Sequence, residues 1–171
     1  MEDGMRTQRL VAALLVALSI MAGSSQAVGA HSVYEENWVY WTQDANCTWG
    51  RSEISHGSGG GYVRVDVRAN YIDIGNFVPC STESYRSPYQ LRAKYTAIKY
   101  NEGTGNWDWC FNSQWYYNGT GGATFVIEDW LGNTEPPCGA GWYGNSGGSF
   151  VYHNGQWYGD YLYGWQHWLP S

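Results

Sequence analysis

Two short segments concentrate side chains that can stack against flat ligands. Residues 112–117 are Asn-Ser-Gln-Trp-Tyr-Tyr and residues 154–159 are Asn-Gly-Gln-Trp-Tyr-Gly. Adjacent aromatics in a strand point to opposite faces, so the rings of each segment cannot all enter one core. The outward rings would form a platform for sugar rings or for a partner protein. The predicted binding residues are Asn112, Gln114, Trp115, Tyr116, Trp157, Tyr158, Trp165 and Trp168.

The second of these segments has a local resemblance to a known repeat. Asn154-Gly155, Trp157-Tyr158 and Gly164-Trp165 resemble the Asn-Gly-x-Trp-Tyr…Gly-Trp hairpin of the choline- and glucan-binding repeats of bacterial surface proteins. That resemblance implies adhesion to cell-wall or extracellular polymers through aromatic cages between repeats. The regular short repeat of that family is missing here, and the same aromatics can instead be core residues and cross-strand pairs.

Residues 144–148, Gly-Asn-Ser-Gly-Gly, are similar to the nucleophile loop of trypsin-like serine proteases. The similarity implies Ser146 as the nucleophile and the amides of Gly144 and Ser146 as the oxyanion hole. The early histidines, His31 and His56, lack the small-residue and Cys context of that family. A glycine-rich turn is therefore the preferred interpretation of this segment.

A copper site is a further hypothesis. Cleavage after Ala30 would leave His31 at the amino terminus, where its amine and ring can chelate copper, as in copper-dependent polysaccharide monooxygenases. His56, His153 or His167 would supply the second imidazole. Because no other motif of that family is recognisable, we predict no metal and no cofactor. A small hydrolase or copper enzyme remains the third hypothesis for the function.

The carboxylates and the sequons carry weaker signals. The adjacent pairs Glu35-Glu36 and Glu128-Asp129 would face opposite sides of a strand, so neither pair forms a catalytic dyad alone. Acidic surface charge serves solubility in the ordinary case. The sequons at Asn46 and Asn118 would be glycosylated only in a source cell with that machinery.

The composition describes the domain that must position these residues. The chain has 171 residues, a formal net charge of −6, 23 Gly, 11 Trp, 15 Tyr and 4 Phe, and only 14% of its residues are charged. These values fit one domain and exclude a disordered chain or a basic nucleic-acid binder.

The first 30 residues are typical of a secretory signal peptide. Arg6 and Arg9 precede an uncharged run from residue 10 to residue 22, and small residues follow. The run is shorter than the roughly 20 apolar residues that a membrane-spanning helix needs, so no membrane insertion is predicted after cleavage. Cleavage after Ala27 or Ala30 fits the pattern. We expect residues 31–171 to form a single secreted, extracellular domain.

Four cysteines, Cys47, Cys80, Cys110 and Cys138, are spread evenly through this exported chain. An even number of cysteines in such a context indicates disulfides rather than a metal site. We favour Cys47–Cys80 and Cys110–Cys138 among three pairings. Each bond would close a loop of about 30 residues and contribute roughly 3 to 4 kcal/mol.

The sequence predicts strands and almost no helix. Residues 62–68 alternate between valines on one face and Arg64, Asp66 and Arg68 on the other. Residues 33–42, 91–100, 106–117, 123–130 and 149–163 have similar strand character. Glycine-rich stretches at 56–61 and 118–122 and the Asn154-Gly155 dipeptide indicate turns. Residues 77–88 and 133–146 are predicted as longer loops.

The prediction from these patterns is an all-β domain, an antiparallel sandwich or compact barrel of hairpins with two disulfides. The predicted function is non-catalytic recognition of an extracellular glycan or cell-wall polymer. The alternative is a module that binds a secreted or surface protein, because the same aromatic residues dominate protein interfaces.

Overall fold

The computed structural model is an all-β sandwich, and it describes residues 31–41, 46–57, 60–73, 78–131 and 138–169. The predicted signal peptide lies outside these residues. No helix occurs in the described ranges, so these residues contain no helix that could cross a membrane. The strands are β1 His31–Trp41, β2 Asn46–Gly57, β3 Gly60–Asp73, β4 Val78–Glu83, β5 Leu91–Asn101, β6 Asn106–Asn112, β7 Tyr116–Tyr117, β8 Thr124–Trp130, β9 Gly141–His153 and β10 Gln156–Leu169.

The strands form two separate antiparallel sheets. The first sheet has the order β1-β2-β3-β4, and β8 also pairs with β3. The second sheet has the order β10-β9-β5-β6, and β7 also pairs with β5. The sheets do not close on each other, so the fold is the sandwich and not the barrel that the sequence also allowed.

The core lies between the two sheets. The side chains of Val63, Val65 and Val67 are fully buried, as their alternation predicts, and Arg64 lies on the outer face. The second sheet contributes inward side chains from alternate positions of β5 and β9. These residues are Leu91, Ala93, Tyr95, Ala97, Tyr143 and Val151.

One part of the interior is polar and tightly closed. Asn145 Nδ2 donates to Ser52 Oγ at 3.1 Å and to the Glu53 carbonyl at 3.1 Å, so β9 is bonded to β2 across the sandwich. A Cβ at Gly147 would lie 2.7 Å from Val65 Cγ2 and 2.8 Å from Ser52 Cβ. Only a residue without a side chain fits there, because side-chain carbons pack at greater separations.

These contacts correct the interpretation of residues 144–148. The segment is a regular part of β9 and not a glycine-rich turn or a nucleophile loop. Ser146 lies opposite Thr96 of β5 and Tyr163 of β10 on the outer face of the sheet. The sequence is glycine-rich because small residues are needed on both sides of this strand.

The disulfides and most turns agree with the predictions. Cys47–Cys80 and Cys110–Cys138 are both bonded. Asn154 and Gly155 have φ values of 45° and 84°, as a two-residue hairpin turn requires. The predicted loops are wrong in part, because residues 78–83 form β4 and residues 141–146 begin β9. Strand β2 was not predicted.

Candidate functional site

The outer faces of the two sheets differ in chemistry. On the first sheet, Arg51 Nη2 lies 2.7 Å from Glu53 Oε2, and Arg64 Nε lies 2.9 Å from Asp66 Oδ1. Hydrogen bonding to Asp66 raises the pKa of the Arg64 guanidinium. Neighbouring positions on β1 and β8 add Glu36 and Glu128 to this face. The outer face of the first sheet therefore carries paired charges, with Glu53 and Asp66 buried, beside the smaller aromatic pairs Trp38–Trp49 and Tyr62–Trp130.

The outer face of the second sheet is covered by aromatic rings. Residues that are directly opposite each other in neighbouring strands point to the same face, so the register identifies which rings share it. Contacts between rings continue from strand to strand, with centroid distances of 5.1 to 5.5 Å for several pairs. The rings on this face are Tyr100, Trp107, Trp109, Trp115, Tyr117, Trp142, Phe150, Tyr152, Trp157, Tyr161, Tyr163, Trp165 and Trp168.

Two glycines of β9 let these rings lie directly on the sheet. A Cβ at Gly144 would be 3.1 Å from Cε3 of Trp165, and a Cβ at Gly148 would be 3.1 Å from Cη2 of Trp115. Both rings occupy space that a side chain on β9 would otherwise fill. Tyr163 stacks on Trp165 with an interplanar angle of 14°. The Trp165 and Trp115 rings therefore lie close against the backbone of β9.

The aromatic face ends in a cleft beside the β5–β6 hairpin. The cleft has a volume of about 530 Å³. A second depression of about 310 Å³ adjoins it and shares Tyr100 and Trp142. Three indoles and several polar groups line the larger cleft, including Lys99, Asn101, Asp108, Trp109, Trp142 and Trp168. Trp109 is 77% exposed, so a large apolar ring is available to a ligand there.

The second disulfide and two hydrogen bonds fix one wall of this cleft. Cys138 lines the cleft and is bonded to Cys110, which follows Trp109 in β6. The Tyr143 hydroxyl donates to the Gly139 carbonyl at 2.8 Å and accepts from the Cys138 amide at 3.2 Å. Burial raises the pKa of this phenol. Lys99 Nζ donates to the Cys138 carbonyl at 2.5 Å, so its ammonium group is committed to the wall.

Polar side chains in the cleft are already arranged by short hydrogen bonds. Asn101 Nδ2 donates to Asp108 Oδ2 at 2.8 Å, while Asn101 Oδ1 accepts from the Gly103 amide at 3.0 Å. Asp108 and Glu102 are both exposed, and their carboxylate oxygens can accept hydrogen bonds from a ligand. The cleft thus combines flat apolar walls with hydrogen-bond acceptors.

The structure places the predicted binding residues on both sides of the second sheet. Trp115, Trp157, Trp165, Trp168 and Asn112 belong to the outer face, and Asn112 Oδ1 accepts from Thr96 Oγ1 at 2.8 Å. Tyr116 and Tyr158 are half-buried and pack against the core. Gln114 is exposed in the connection between β6 and β7.

Several residues of this face were missed by the sequence interpretation. Tyr100, Trp107, Trp109 and Trp142 lie at the cleft, and Phe150 and Tyr152 lie at the opposite end. Trp107 and Trp109 are two positions apart in a strand, which places both on one face. The spacing of these two residues in the sequence was therefore enough to predict that they share a face. The sequence pattern does not reveal the position of Trp142, because residues 133–146 have the composition of a loop.

Two of the histidines proposed for copper do meet, but inside the sandwich. His56 Nδ1 lies 2.6 Å from His167 Nε2, and both side chains are buried. His31 is opposite His56 in the register of β1 and β2. His153 interacts with Arg86, at 3.2 Å, in a different part of the fold. The described part of the chain contains no group of three residues suited to hold a metal ion.

The carboxylate pairs and the second sequon have structural roles. Glu35 Oε2 accepts from the Tyr163 amide at 2.6 Å, and Asp129 Oδ2 accepts from the Tyr95 hydroxyl at 2.5 Å. Asn118 is buried, and its Oδ1 accepts from the Leu91 amide at 2.7 Å. An asparagine held in this way is not accessible for glycosylation in the folded domain.

In comparisons with models of protein families, with curated proteins and with solved structures, nothing matches this chain.

Proposed function

We propose that the protein is a secreted, non-catalytic module that binds an extracellular carbohydrate or cell-wall polymer along the outer face of the second sheet. The observation that carries this proposal is the aromatic outer face of the second sheet, which ends in a cleft with three indoles and ordered polar groups. The two disulfides are compatible with an extracellular location.

The chemistry of a sugar fits both parts of this surface. The C–H groups of a pyranose form an apolar face that packs against an indole, and burial of that area is favourable. The hydroxyl groups project from the ring edge and need hydrogen-bond partners, which Asp108 and Glu102 can provide. Trp142 and Trp168 meet edge to face at 5.5 Å, which holds both rings in place before a ligand arrives.

The size of the face favours a polymer over a single sugar. From Trp142 to Tyr152 the strand β9 spans about 33 Å at 3.3 Å per residue. Rings occupy both ends of this distance, and Ser146, Thr96 and Asn112 form a polar row between them. Several sugar units can therefore contact the face together, and weak contacts add along the chain.

The test is co-sedimentation of the oxidised domain with insoluble polysaccharides. The panel contains cellulose, chitin, insoluble xylan and peptidoglycan, with a blank resin, and tryptophan fluorescence measures the protein that stays in solution. Selective depletion by one polymer, competed by its soluble oligosaccharide, would support the proposal. If none of the polymers depletes the protein from solution, the proposal is overturned in favour of a protein partner.

Paired variants localise the binding surface. Trp142→Ala and Trp168→Ala remove rings that are each 43% exposed, and we expect the association constant to fall at least about tenfold. Trp130→Ala is the matched control, because Trp130 is 49% exposed but lies on the first sheet. Equal losses for Trp130→Ala and the two cleft variants would contradict the assignment of the face.

A further inference from the structure

Two cations lie within the aromatic face at the end away from the cleft. Arg92 and Lys94 occupy outward positions of β5, opposite Phe150 and Gly148 of β9. The guanidinium carbon of Arg92 is 4.2 Å from the ring centroid of Trp115 and 4.1 Å from that of Trp157. Lys94 Nζ lies 5.5 Å from the centroid of Trp115. We call Arg92, Lys94, Trp115 and Trp157 the Arg92 cluster.

The Arg92 cluster has no counter-ion among the described residues. No described carboxylate forms an ion pair with Arg92 or Lys94, whereas Arg51 and Arg64 on the other sheet are both paired. Arg92 Nε is buried and has no hydrogen-bond partner in the described part of the chain. Nε of Arg51 and of Arg68 on the first sheet is in the same state, so the absence of an ion pair is what distinguishes Arg92 and Lys94 from Arg51 and Arg64. Two cations without a counter-ion form strong charge-assisted hydrogen bonds with an anionic ligand group that reaches their outer N–H groups.

The arrangement of the Arg92 guanidinium and Lys94 favours one kind of hydrogen-bond acceptor on the ligand. Two indoles lie against the guanidinium, which leaves its N–H groups as the polar contact for a ligand. A guanidinium matches a carboxylate through two parallel N–H···O bonds, and Lys94 can add a third charge-assisted bond nearby. Neighbouring rings exclude water and strengthen these bonds.

We propose that the Arg92 cluster binds a carboxylate group of the polymer, so that the ligand is an acidic polysaccharide. This inference rests on the proposed function and narrows it to uronic-acid-containing or otherwise carboxylated glycans. On the first sheet Arg68 also lies over an indole, that of Trp49, but Glu36, Glu53, Asp66 and Glu128 share its outer face and make that face less favourable for an anion. The cluster is about 27 Å from the cleft along β5, so one polymer chain can contact both.

The test compares polymers that differ only in charge. Retention of the domain is measured by affinity electrophoresis on polygalacturonate and on the same polymer after full methyl esterification, at low and at high salt. We expect about tenfold tighter binding to the free acid at low salt. The difference should shrink as salt screens the charges. Sulfated dextran and unmodified dextran form the second pair, and they separate carboxylate recognition from attraction to any anion.

Variants of Arg92 and Lys94 test whether the Arg92 cluster causes the preference for the free acid over the methyl ester. Arg92→Gln and Lys94→Gln should each remove most of the preference for the free acid while retention on the esterified polymer persists. Arg68→Gln is the matched control, because Arg68 lies 4.9 Å from the ring centroid of Trp49 on the first sheet. It removes the same charge from the opposite face and should leave the preference intact. Thermal unfolding of each variant verifies that the fold is retained.

Each result decides between the proposals. Equal binding to the acid and the ester would overturn the carboxylate inference and leave the proposed function standing. Stronger binding to sulfated dextran, without any preference for polygalacturonate, would also overturn it. Failure to bind every polymer, charged or neutral, in both this assay and the co-sedimentation panel would overturn the proposed function itself.

Discussion

Gly147 and Gly148 are neighbours in β9, but they make room for different surfaces. Gly147 faces inward, where a Cβ would lie 2.7 Å from Val65 Cγ2. Gly148 faces outward, where a Cβ would lie 2.9 Å from Cε1 of Tyr161 and 3.1 Å from Cη2 of Trp115. One glycine therefore allows the sheets to pack, and the other allows the rings to lie on the sheet.

Substitution of these two glycines should separate stability from binding. Gly147→Ala forces a methyl group into the closed interior, and we expect a loss of about 1–3 kcal/mol in the free energy of unfolding. Gly148→Ala pushes against the exposed ring of Tyr161 and the half-buried ring of Trp115 at the surface, where both can move outward, so the loss of stability should be smaller. Because the Trp115 ring of the Arg92 cluster is displaced, polymer retention should fall. Denaturant unfolding and co-sedimentation measure the two effects.

One outcome of these two measurements would contradict a binding role for the outer rings. If Gly148→Ala costs as much stability as Gly147→Ala and leaves polymer retention unchanged, the outer rings are structural and do not belong to a binding surface. Gly119→Ala serves as the control, because a Cβ there meets no atom within 4 Å. It should alter neither quantity.

The Tyr95–Asp129 hydrogen bond predicts a loss of stability at alkaline pH. Burial and this bond raise the pKa of the Tyr95 phenol above its ordinary value of 10. The neutral phenol is favoured in the folded state, so its contribution is complete below pH 10. It is lost as the pH rises above 10, because the unfolded chain then ionises first. Each pH unit in that window costs about 1.4 kcal/mol for one such group.

The Tyr95→Phe variant tests this assignment. It should be less stable than the wild type at pH 7 by about 1 kcal/mol, because the hydrogen bond is lost. Its stability should fall less steeply above pH 10, although the raised pKa of Tyr143 leaves part of the slope. Urea unfolding between pH 7 and pH 11 gives both values. Parallel curves for the variant and the wild type would contradict the assignment, and Tyr85→Phe, at a residue that is 74% exposed, controls for loss of any tyrosine.

The hydrophobic pattern predicted the strands whose inward side chains are apolar and missed those whose inward side chains are polar or small. In β3, Val63, Val65 and Val67 make the alternation visible. In β2 the corresponding inward positions include Thr48, Gly50 and Ser52, so no apolar alternation marks the strand. The missed strands β2 and the first half of β9 meet each other across the sandwich. The polar contacts between them became apparent only with the fold.

The aromatic face could be expected from composition, but its membership depends on the register. The alternation of Trp115 and Tyr116 predicts one ring on each side without deciding which ring is outside. In β10 the pairing shifts between Gly164 and His167. This bulge brings Trp165 and Trp168 to the same face, although an odd spacing in a regular strand would separate them. Pattern alone could not reveal such a shift.

The two disulfides provide a matched pair of variants for the cleft. The sequence separations are 33 residues for Cys47–Cys80 and 28 for Cys110–Cys138, so the entropy of loop closure predicts nearly equal stabilisation of about 3–4 kcal/mol. Only Cys110–Cys138 adjoins the cleft, where it joins the β6 strand of Trp109 to the wall formed by residues 138–141. Removal of either bond should therefore cost similar stability, and only removal of the second should weaken binding.

The measurement uses the double variants Cys47→Ala/Cys80→Ala and Cys110→Ala/Cys138→Ala. Denaturant unfolding gives their stabilities, and retention is measured at a low temperature at which near-ultraviolet circular dichroism shows both to be folded. We expect the first to keep wild-type retention and the second to lose most of it, since Trp109 and the opposite wall are no longer joined. Similar retention for both variants would mean that the cleft is not part of the binding surface. The polymer would then have to be held by the Arg92 cluster and the rings around it.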